Sequence, residues 1–499
     1  MFDGRGAAAL VVLGLLVAGL SLYLGNQTGQ PRTPRVELDA STQGFELASG
    51  KENEHASERS FVIAGRVPKL DWSGKKFVAK EIAAHRRPIV LQKTDMAAWP
   101  AVAKWADAAY LSEHLGKLPQ VKESVNPVFV SGQVKDGQLP GVGVRDTAYR
   151  VRDGMTLDEF LRAEDDDGQD VYRHFQATIG TIGSQTLMDD LRPRKKLAMG
   201  SELAATTVWA ASRAGVTSNT HYDRSNNFVT QVVGSKIWFL FPPPEWYRLY
   251  HFPALHRHYH QSQIDVDAPD AAMFPNSTDA TALMVTMHPG DVLYVPPYWT
   301  HRVQALDFAV SVSVVSPSEE ELLYGEARFT PVPFDRDSWT VSEAMRQVRL
   351  FVTRLVARVL PDIPPAVFVR SILTNGRYRA IMDDLNAYAR ENTQKFAIIA
   401  GSSGCDENPN VSQDKIIQFD DAIREMGERF DRMPVGVREV NLGNLVEELS
   451  AEVGGPANVG IFLQKCFARD VKPKAPIHPT DEQMRIVKEA LDKRDRPSA

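Results

Sequence analysis

Short runs of strand-forming residues between 201 and 316, broken repeatedly by Gly and Pro, constrain this chain more than any other feature. Strands this short and this closely punctuated fold as an antiparallel barrel or sandwich. Phe228–Val233 and Lys236–Phe241 read as two strands joined at Gly234-Ser235, a two-residue hairpin signal. Further on, Phe308, Val310, Val312 and Val314 share one strand face, and Ala309, Ser311, Ser313 and Val315 share the other. A bulky face and a small, polar face suit a barrel wall that packs outward and lines a cavity inward.

The rest of the chain is organised around this segment. At 499 residues it exceeds one ordinary domain. Residues 7–24 are almost wholly apolar, and eighteen residues of helix cover about 27 Å, close to the hydrocarbon core of a bilayer. Residues 1–25 therefore read as a single-pass membrane anchor, favoured over a cleaved signal peptide, whose apolar region is usually shorter. A polar stalk over 26–60 follows, then a folded body over 61–320 and a helical region over 321–499. Arg5 before the span and Arg32 and Arg35 after it mark orientation only weakly. Sequons at Asn26, Asn276 and Asn410 permit a lumenal body in the secretory pathway. A Cys405–Cys466 disulfide fits an oxidising lumen, and two free thiols fit the cytosol equally well.

Composition excludes some functions. Two cysteines cannot build a zinc knuckle, which removes zinc-finger chromatin readers. With 57 Lys+Arg against 63 Asp+Glu, the net charge of −6 gives no general reason to expect a nucleic-acid partner. The acidic run Glu164–Asp167 and the basic run Arg192–Lys196 read as solvated loops. In the helical region Met345, Val348, Val352, Leu355, Val356 and Val359 fall on one face, with Arg346, Arg349, Arg354 and Arg358 away from it. That face is either intramolecular core or a homodimer interface.

The chemistry is concentrated in 217–316. His221-Tyr222-Asp223 precedes the first strand of the pair, and an imidazole and a carboxylate two residues apart point to the same side of an extended chain. Such triplets are common and weak alone. His301 follows a Pro-Pro-aromatic corner and precedes the alternating strand. His221, Asp223 and His301 together make a 2-His-1-carboxylate facial triad, which leaves three positions open on a six-coordinate Fe(II). A chelating 2-oxo acid takes two of these and O₂ the third. Lys236, expected on the strand antiparallel to the one after Asp223, can supply a cation to the far end of a dicarboxylate. The loop histidines His251, His256, His258 and His260 lack ordered ligand spacing and read as packing or solvated residues. Trp209, Trp238, Trp246 and Trp299 read as core.

These motifs resemble the JmjC/cupin-like Fe(II)- and 2-oxoglutarate-dependent oxygenases, and especially the asparaginyl hydroxylase that inhibits the hypoxia-inducible factor. The resemblance rests on His221-Tyr222-Asp223, Lys236 thirteen residues after the aspartate, and Pro297-Tyr298-Trp299-Thr300-His301. It extends through Asn227, Phe241-Pro242-Pro243, Gln261–Asp265, Asn276 and Gly290–Tyr294, and more loosely to Arg87–Val90 and Trp99-Pro100. It implies a mainly β fold with helical additions: a double-stranded β-helix (jelly-roll, cupin) core with an N-terminal α/β elaboration and a C-terminal helical region. It also implies His221, Asp223 and His301 as iron ligands and Lys236 as partner of the 2-oxoglutarate C5 carboxylate. Ser218 stands where the family often has Thr, and Asn227 is a further cosubstrate contact. The upstream tyrosine that in the family gives its hydroxyl to the same carboxylate is replaced by His174, with Tyr172 two residues away on the same strand face, and these two are the candidates for that cosubstrate contact. A late-strand asparagine is replaced near Val315-Ser316, and Gln261 matches a peptide-contacting position. Dimerisation of relatives through C-terminal helices makes a homodimer one of the two readings of 341–360.

The expected activity is hydroxylation of a protein or peptide side chain, with Fe(II), 2-oxoglutarate and O₂. Lysine demethylation is the alternative within the class, disfavoured by the missing zinc module and the expected anchor. Another cupin metal enzyme, such as a sugar isomerase, leaves Lys236 unexplained. An intact triad argues against a catalytically silent binding module.

Overall fold

Strand-forming side chains between Ala205 and Ser316 do form strands, but the links between them are not where local turn signals put them. The structure is a computed structural model and describes residues 61–131, 149–182, 184–192, 194–200, 205–334, 340–391, 411–452 and 455–467. All of these fall within one of the chain's two compact units, residues 53–494.

Among the described residues, fifteen strands form two sheets. The smaller holds β1 (Val62–Arg66), β5 (Val128–Phe129), β9 (Thr217–His221), β11 (Lys236–Phe241), β12 (Thr281–Met287) and β14 (Thr300–Ala305). Their order is β1-β12-β11-β14-β9-β5. The larger holds β2 (Lys69–Asp71), β3 (Ile89–Gln92), β4 (Val121–Ser124), β6 (Arg150–Arg152) and β7 (Tyr172–Thr178). It also holds β8 (Ala205–Ala211), β10 (Asn226–Val233), β13 (Val292–Val295) and β15 (Ala309–Ser316). Its order is β2-β3-β13-β10-β15-β8-β7-β4-β6.

The alternation in β15 sorts as expected. Val310, Val312 and Val314 are buried on the outer face beside Phe175, Val208 and Phe228, with Trp99 and the helical residue Phe160. Ala309 lies on the inner side with Ala211 and Ala305, and the Ser311 hydroxyl donates to Gln231 at 2.8 Å. Strands inside a closed, two-sheet fold present one face to each environment, so a one-residue slip would bury serines among valines.

The expected β10–β11 hairpin is corrected. β10 pairs with β13 and β15, whereas β11 pairs with β12 and β14 in the other sheet. Gly234-Ser235 is a corner between sheets. Gly234 has φ +62°, and a Cβ there would stand 2.1 Å from the Phe308 carbonyl oxygen and 2.2 Å from Asp307 Oδ1. The Ser235 N–H donates to Asp307 Oδ1 at 2.7 Å. Backbone from the β14–β15 link therefore fills the space a side chain would need.

After β15 the chain turns helical. The Val341–Val359 helix starts at a Thr340/Glu343 capping box, which satisfies two otherwise orphaned N–H groups. Met345, Val348, Val352, Leu355, Val356 and Val359 are buried with Phe419, Met426 and Phe430 of the Gln413–Asp431 helix and Leu442 and Leu445 of the Val437–Ala451 helix. Each such side chain contributes about 1.5–3 kcal/mol by leaving water. Arg354 and Arg358 on the rim pair with Asp420 and Asp431. The apolar face is thus intramolecular core, and the homodimer reading is corrected on that ground.

The membrane-anchored, lumenal protein expected from the sequence is also corrected. Among the described residues no helix is long and apolar enough to cross a membrane. The two nineteen-residue helices, Val341–Val359 and Gln413–Asp431, each carry charged side chains along one face. The apolar segment 7–24 and the stalk 26–60 lie outside the described residues. Cys466, buried in the Val459–Phe467 helix, is disulfide-bonded, and Cys405 lies outside the described residues.

Gly234→Ala tests the corner. Gly168 also has positive φ, at +75°, but nothing lies within 4 Å of a Cβ built on it. Gly168→Ala should cost about 1–2 kcal/mol, the left-handed penalty alone. Gly234→Ala should cost clearly more, because backbone must move as well. Urea unfolding of the two variants gives the comparison, and equal losses would contradict the inter-sheet corner.

Candidate active site

The site begins with a register. β9 and β14 pair antiparallel with His221 opposite His301, and their ring centroids are 4.4 Å apart. The next partners are Ser218 and Val303, so β9 carries one residue more than β14 in that interval. This bulge puts Ser218 and His221, three residues apart, on one face, where an unbroken strand would oppose them. Asp223 follows just past the strand end, and its Oδ2 is 3.9 Å from His301 Nε2. One ligand atom from each of His221, Asp223 and His301 lies within 4.8 Å of the others, and among the described residues no other group of this kind occurs.

Both imidazoles are oriented from behind. His221 Nδ1 contacts the Asn219 carbonyl oxygen at 2.7 Å, and His301 Nδ1 contacts that of Trp299 at 2.9 Å. A carbonyl only accepts, so each Nδ1 carries the proton and each Nε2 presents a lone pair. Burial and the neighbouring His221 hold the His301 pKa down to about 4, so this ring is neutral near pH 7. The Tyr298 N–H donates to the Asp223 carbonyl at 2.7 Å, tying the Pro296-Pro297-Tyr298 corner to the ligand loop. Tyr222 points away from its neighbours and stacks on Tyr298, centroids 5.4 Å apart. The Asp223 side chain is 41% exposed while that of His301 is 3% exposed, so the group opens on the aspartate side.

Lys236 does not sit beside β10, as expected, but across the barrel from it, between Met287 of β12 and Ala305 of β14. Its ammonium crosses to β8 and donates to the Trp209 carbonyl at 3.2 Å. Burial pulls its pKa from 10.5 to about 7. His174 on β7 is buried between Phe129 and Trp209, centroids 5.6 and 6.0 Å away. Burial first, then the charges of Lys122, Lys236 and His221, hold its pKa well below 6.5. Tyr172 shares that strand face, but its ring lies under the Arg213 guanidinium at 4.0 Å and against Gly215. Asn227 faces inward on β10, opposite Val295 and Val315. Gln261 bridges to His221 and accepts from Asn219 Nδ2 at 3.2 Å. The loop histidines pack: His256 stacks on Phe252, His258 Nδ1 meets the Ser131 carbonyl, and His251 Nε2 meets Thr300 Oγ1.

Lys122 was given no role by the sequence. It pairs with His174 in the β4–β7 register and so shares the inner face. Strand alternation in Val121–Ser124 is the signal that could have found it.

The cupin-like domain family matches residues 75–315. Lysine-specific demethylase 8 of Xenopus tropicalis is 26% identical over 256 residues, covering 50% of this chain and 52% of that protein. tRNA wybutosine-synthesizing protein 5 of Gallus gallus is 30% identical over 263 residues, covering 50% of this chain and 77% of that protein. The chain belongs to the JmjC/cupin-like 2-oxoglutarate oxygenase family. HSPB1-associated protein 1 of Rattus norvegicus is 40% identical over 117 residues, covering 23% of this chain and 24% of that protein. The matched part is about half the length of the frog relative and about three quarters of the chicken one.

Family membership can be tested against the cavity itself. His174 Nδ1, Asn227 Oδ1, Trp209 Nε1 and Trp238 Nε1 are buried without hydrogen-bond partners. Among the described residues Lys236 meets only a neutral carbonyl. A buried ammonium without a counter-ion is costly, and orphaned polar atoms around it add to the cost. An anionic, multiply hydrogen-bonding guest fits that lining, and two imidazoles with a carboxylate fit a divalent metal.

Lys236→Met should therefore stabilise the protein when no ligand is present. Between an unfolded pKa of 10.5 and a folded value of about 7, burial of the ammonium costs at most about 5 kcal/mol. That cost is full where lysine is charged in both states, near about pH 6, and vanishes where it is neutral in both, above about pH 11. Denaturant unfolding should show Lys236→Met more stable than the parent at about pH 6, with the gain shrinking as pH rises toward about 10. A gain independent of pH would contradict the buried, unpaired ammonium.

Proposed function

We propose that this protein is an Fe(II)- and 2-oxoglutarate-dependent oxygenase that hydroxylates a C–H bond on a protein or peptide side chain. The observation that carries the reading is one barrel interior holding both the His221/Asp223/His301 group and a buried lysine whose only partner among the described residues is a carbonyl. In this reading His221 Nε2, His301 Nε2 and an Asp223 oxygen hold the iron. When bound, iron with 2-oxoglutarate and O₂ supplies the oxidising power for C–H hydroxylation, leaving succinate and CO₂.

The chain's own residues do the rest. Hydrogen bonds at Nδ1 fix both ring tautomers before metal arrives, so little reorganisation accompanies binding. Trp238, its ring 5.6 Å from that of His301, and Trp299 cover the ligand from inside the barrel. Lys236 meets the distal carboxylate of the cosubstrate as a charge-assisted pair. Ser218 and Asn227 add hydrogen bonds, and His174 stands in for the family's tyrosine, with Tyr172 engaged by Arg213 instead. Substrate enters on the exposed side of Asp223, beside Gln261, which Asn219 orients. A net charge of −6 favours a protein over a polyanionic substrate.

Demethylation of a methyl-lysine is a second reading, favoured by the demethylase name of the frog relative. Products separate the two. Hydroxylation leaves one added oxygen on the side chain, whereas demethylation releases formaldehyde.

With Fe(II) and 2-oxoglutarate, the parent should release succinate slowly even without substrate. His221→Ala and Asp223→Ala should each abolish this release, because each removes one of three protein ligands. Undiminished turnover in both would place the site elsewhere. Lys236→Met should weaken 2-oxoglutarate binding by about 2–5 kcal/mol, roughly 30-fold to several-thousand-fold. Fe(II) affinity should stay within about twofold, since 1.4 kcal/mol is already a factor of ten. Titration calorimetry with each ligand gives both numbers.

A further inference from the structure

The corner before His301 is bent against its own preference. Tyr298 has φ +62°, a left-handed conformation that residues with a side chain rarely adopt. A bulky residue keeps such a conformation only where its surroundings over-determine it, and strain of this kind gathers at functional sites. Pro296 and Pro297 stand immediately ahead of it. A proline restricts itself and the residue before it, so neither of them fixes Tyr298.

What fixes it is the side chain. The buried Tyr298 ring stacks on Tyr222, the two planes 21° apart. The Tyr298 hydroxyl donates to Asn441 Oδ1 at 3.0 Å. Asn441 is fully buried in the Val437–Ala451 helix, where its Nδ2 donates to the Met433 sulfur at 3.6 Å, so the amide is held from both ends. That helix lies wholly beyond residues 75–315, the part of the chain that matches the family. At its other end the corner touches two of the three proposed ligands. The Tyr298 N–H donates to the Asp223 carbonyl at 2.7 Å, and the Trp299 carbonyl accepts from His301 Nδ1 at 2.9 Å. The φ angle of Tyr298 sets the peptide plane bearing that N–H against the chain leading to the Trp299 carbonyl. A Tyr298 relaxed to negative φ would therefore lose one contact or the other.

We propose that Asn441 is a positioning residue for the metal centre: it pins the Tyr298 hydroxyl and so keeps the 298–299 corner in the conformation that serves Asp223 and His301 together. The inference rests on the reading of His221, Asp223 and His301 as metal ligands. Asn441 touches neither metal nor substrate and acts through Tyr298 alone. The helical tail is then part of the metal centre, and metal affinity depends on the tail being docked.

The full chain is titrated with Mn(II) alone, and the electron paramagnetic resonance signal of the free ion gives the dissociation constant. Asn441→Leu and Tyr298→Phe should each weaken Mn(II) binding about tenfold, as removal of a group that orients a ligand does. Combined, they should weaken it no further, because both remove the same hydrogen bond. Asn441→Asp, which keeps an acceptor for the hydroxyl, should stay within about threefold of the parent. Leu442→Ala, buried on the same helix without a hydrogen bond to Tyr298, should lower the urea midpoint yet leave Mn(II) affinity within about twofold. Tyr298→Phe removes a single oxygen and carries the test alone if Asn441→Leu does not fold. Parent-like affinity in Tyr298→Phe, additive losses in the double variant, or an equal loss in Leu442→Ala would overturn the assignment. A parent that does not bind Mn(II) would instead sink the ligand reading, and the parent's own titration decides that separately.

Discussion

One antiparallel pairing organises the centre of this protein: β9 against β14, with the extra residue that β9 carries between Ser218 and His221. Pairing alone brings two imidazoles together at the strand's end, their ring planes 56° apart. The bulge then turns Ser218 into the same interior, and the chain leaves the strand with Asp223 close enough to share an ion. Everything else near the site supports that pairing. The Asn219 and Trp299 carbonyls orient the rings, the Tyr298 N–H holds the aspartate loop, and Gln261 bridges to His221. A site assembled from strand backbone in this way is more rigid than one assembled from loops.

The interior has also been left electrically unfinished. Among the described residues Lys236 faces inward with a carbonyl and no carboxylate as partner, whereas Glu123 on β4 is surrounded by three arginines. Such an arrangement sacrifices stability for affinity, a common trade at binding sites. It gives the cavity selectivity as well, since a neutral guest would leave the buried Lys236 ammonium as costly as before.

Parts of this were legible in the sequence and parts were not, for identifiable physical reasons. The inward and outward faces of Phe308–Val315 could be read because period-two alternation follows from strand geometry alone. His221, Asp223 and His301 could be picked out as a group because few residue types ligate metals, and the structure does bring the three together. Gly234-Ser235 misled because a two-residue glycine link serves a hairpin and an inter-sheet corner equally well. What decides between them is Asp307 and Phe308, more than seventy residues away in sequence. The amphipathic stripe from Met345 to Val359 could not announce its partner, since a helix presents the same face to its own chain or to another copy. Lys122 stayed hidden because a lone lysine in a short strand is unremarkable until its register against His174 is seen.

The Val437–Ala451 helix carries a consequence for how this molecule comes apart. Its buried polar side chains are hydrogen-bond partners for the region beside the site. Glu439 accepts from the Trp246 indole, Asn441 from the Tyr298 hydroxyl, and Glu447 from the Ala254 N–H. Asn444 donates to Tyr259, and Arg377 braces both Asn444 and Glu447. Peeling this helix away would strand several buried donors and acceptors at once, each costing about 1–3 kcal/mol. The tail and the 246–263 loop are therefore a single cooperative unit, a foldon whose opening exposes the edge of the barrel beside His221. Amide protons in the loop and in the helix should then exchange with solvent through the same opening event, at one shared rate.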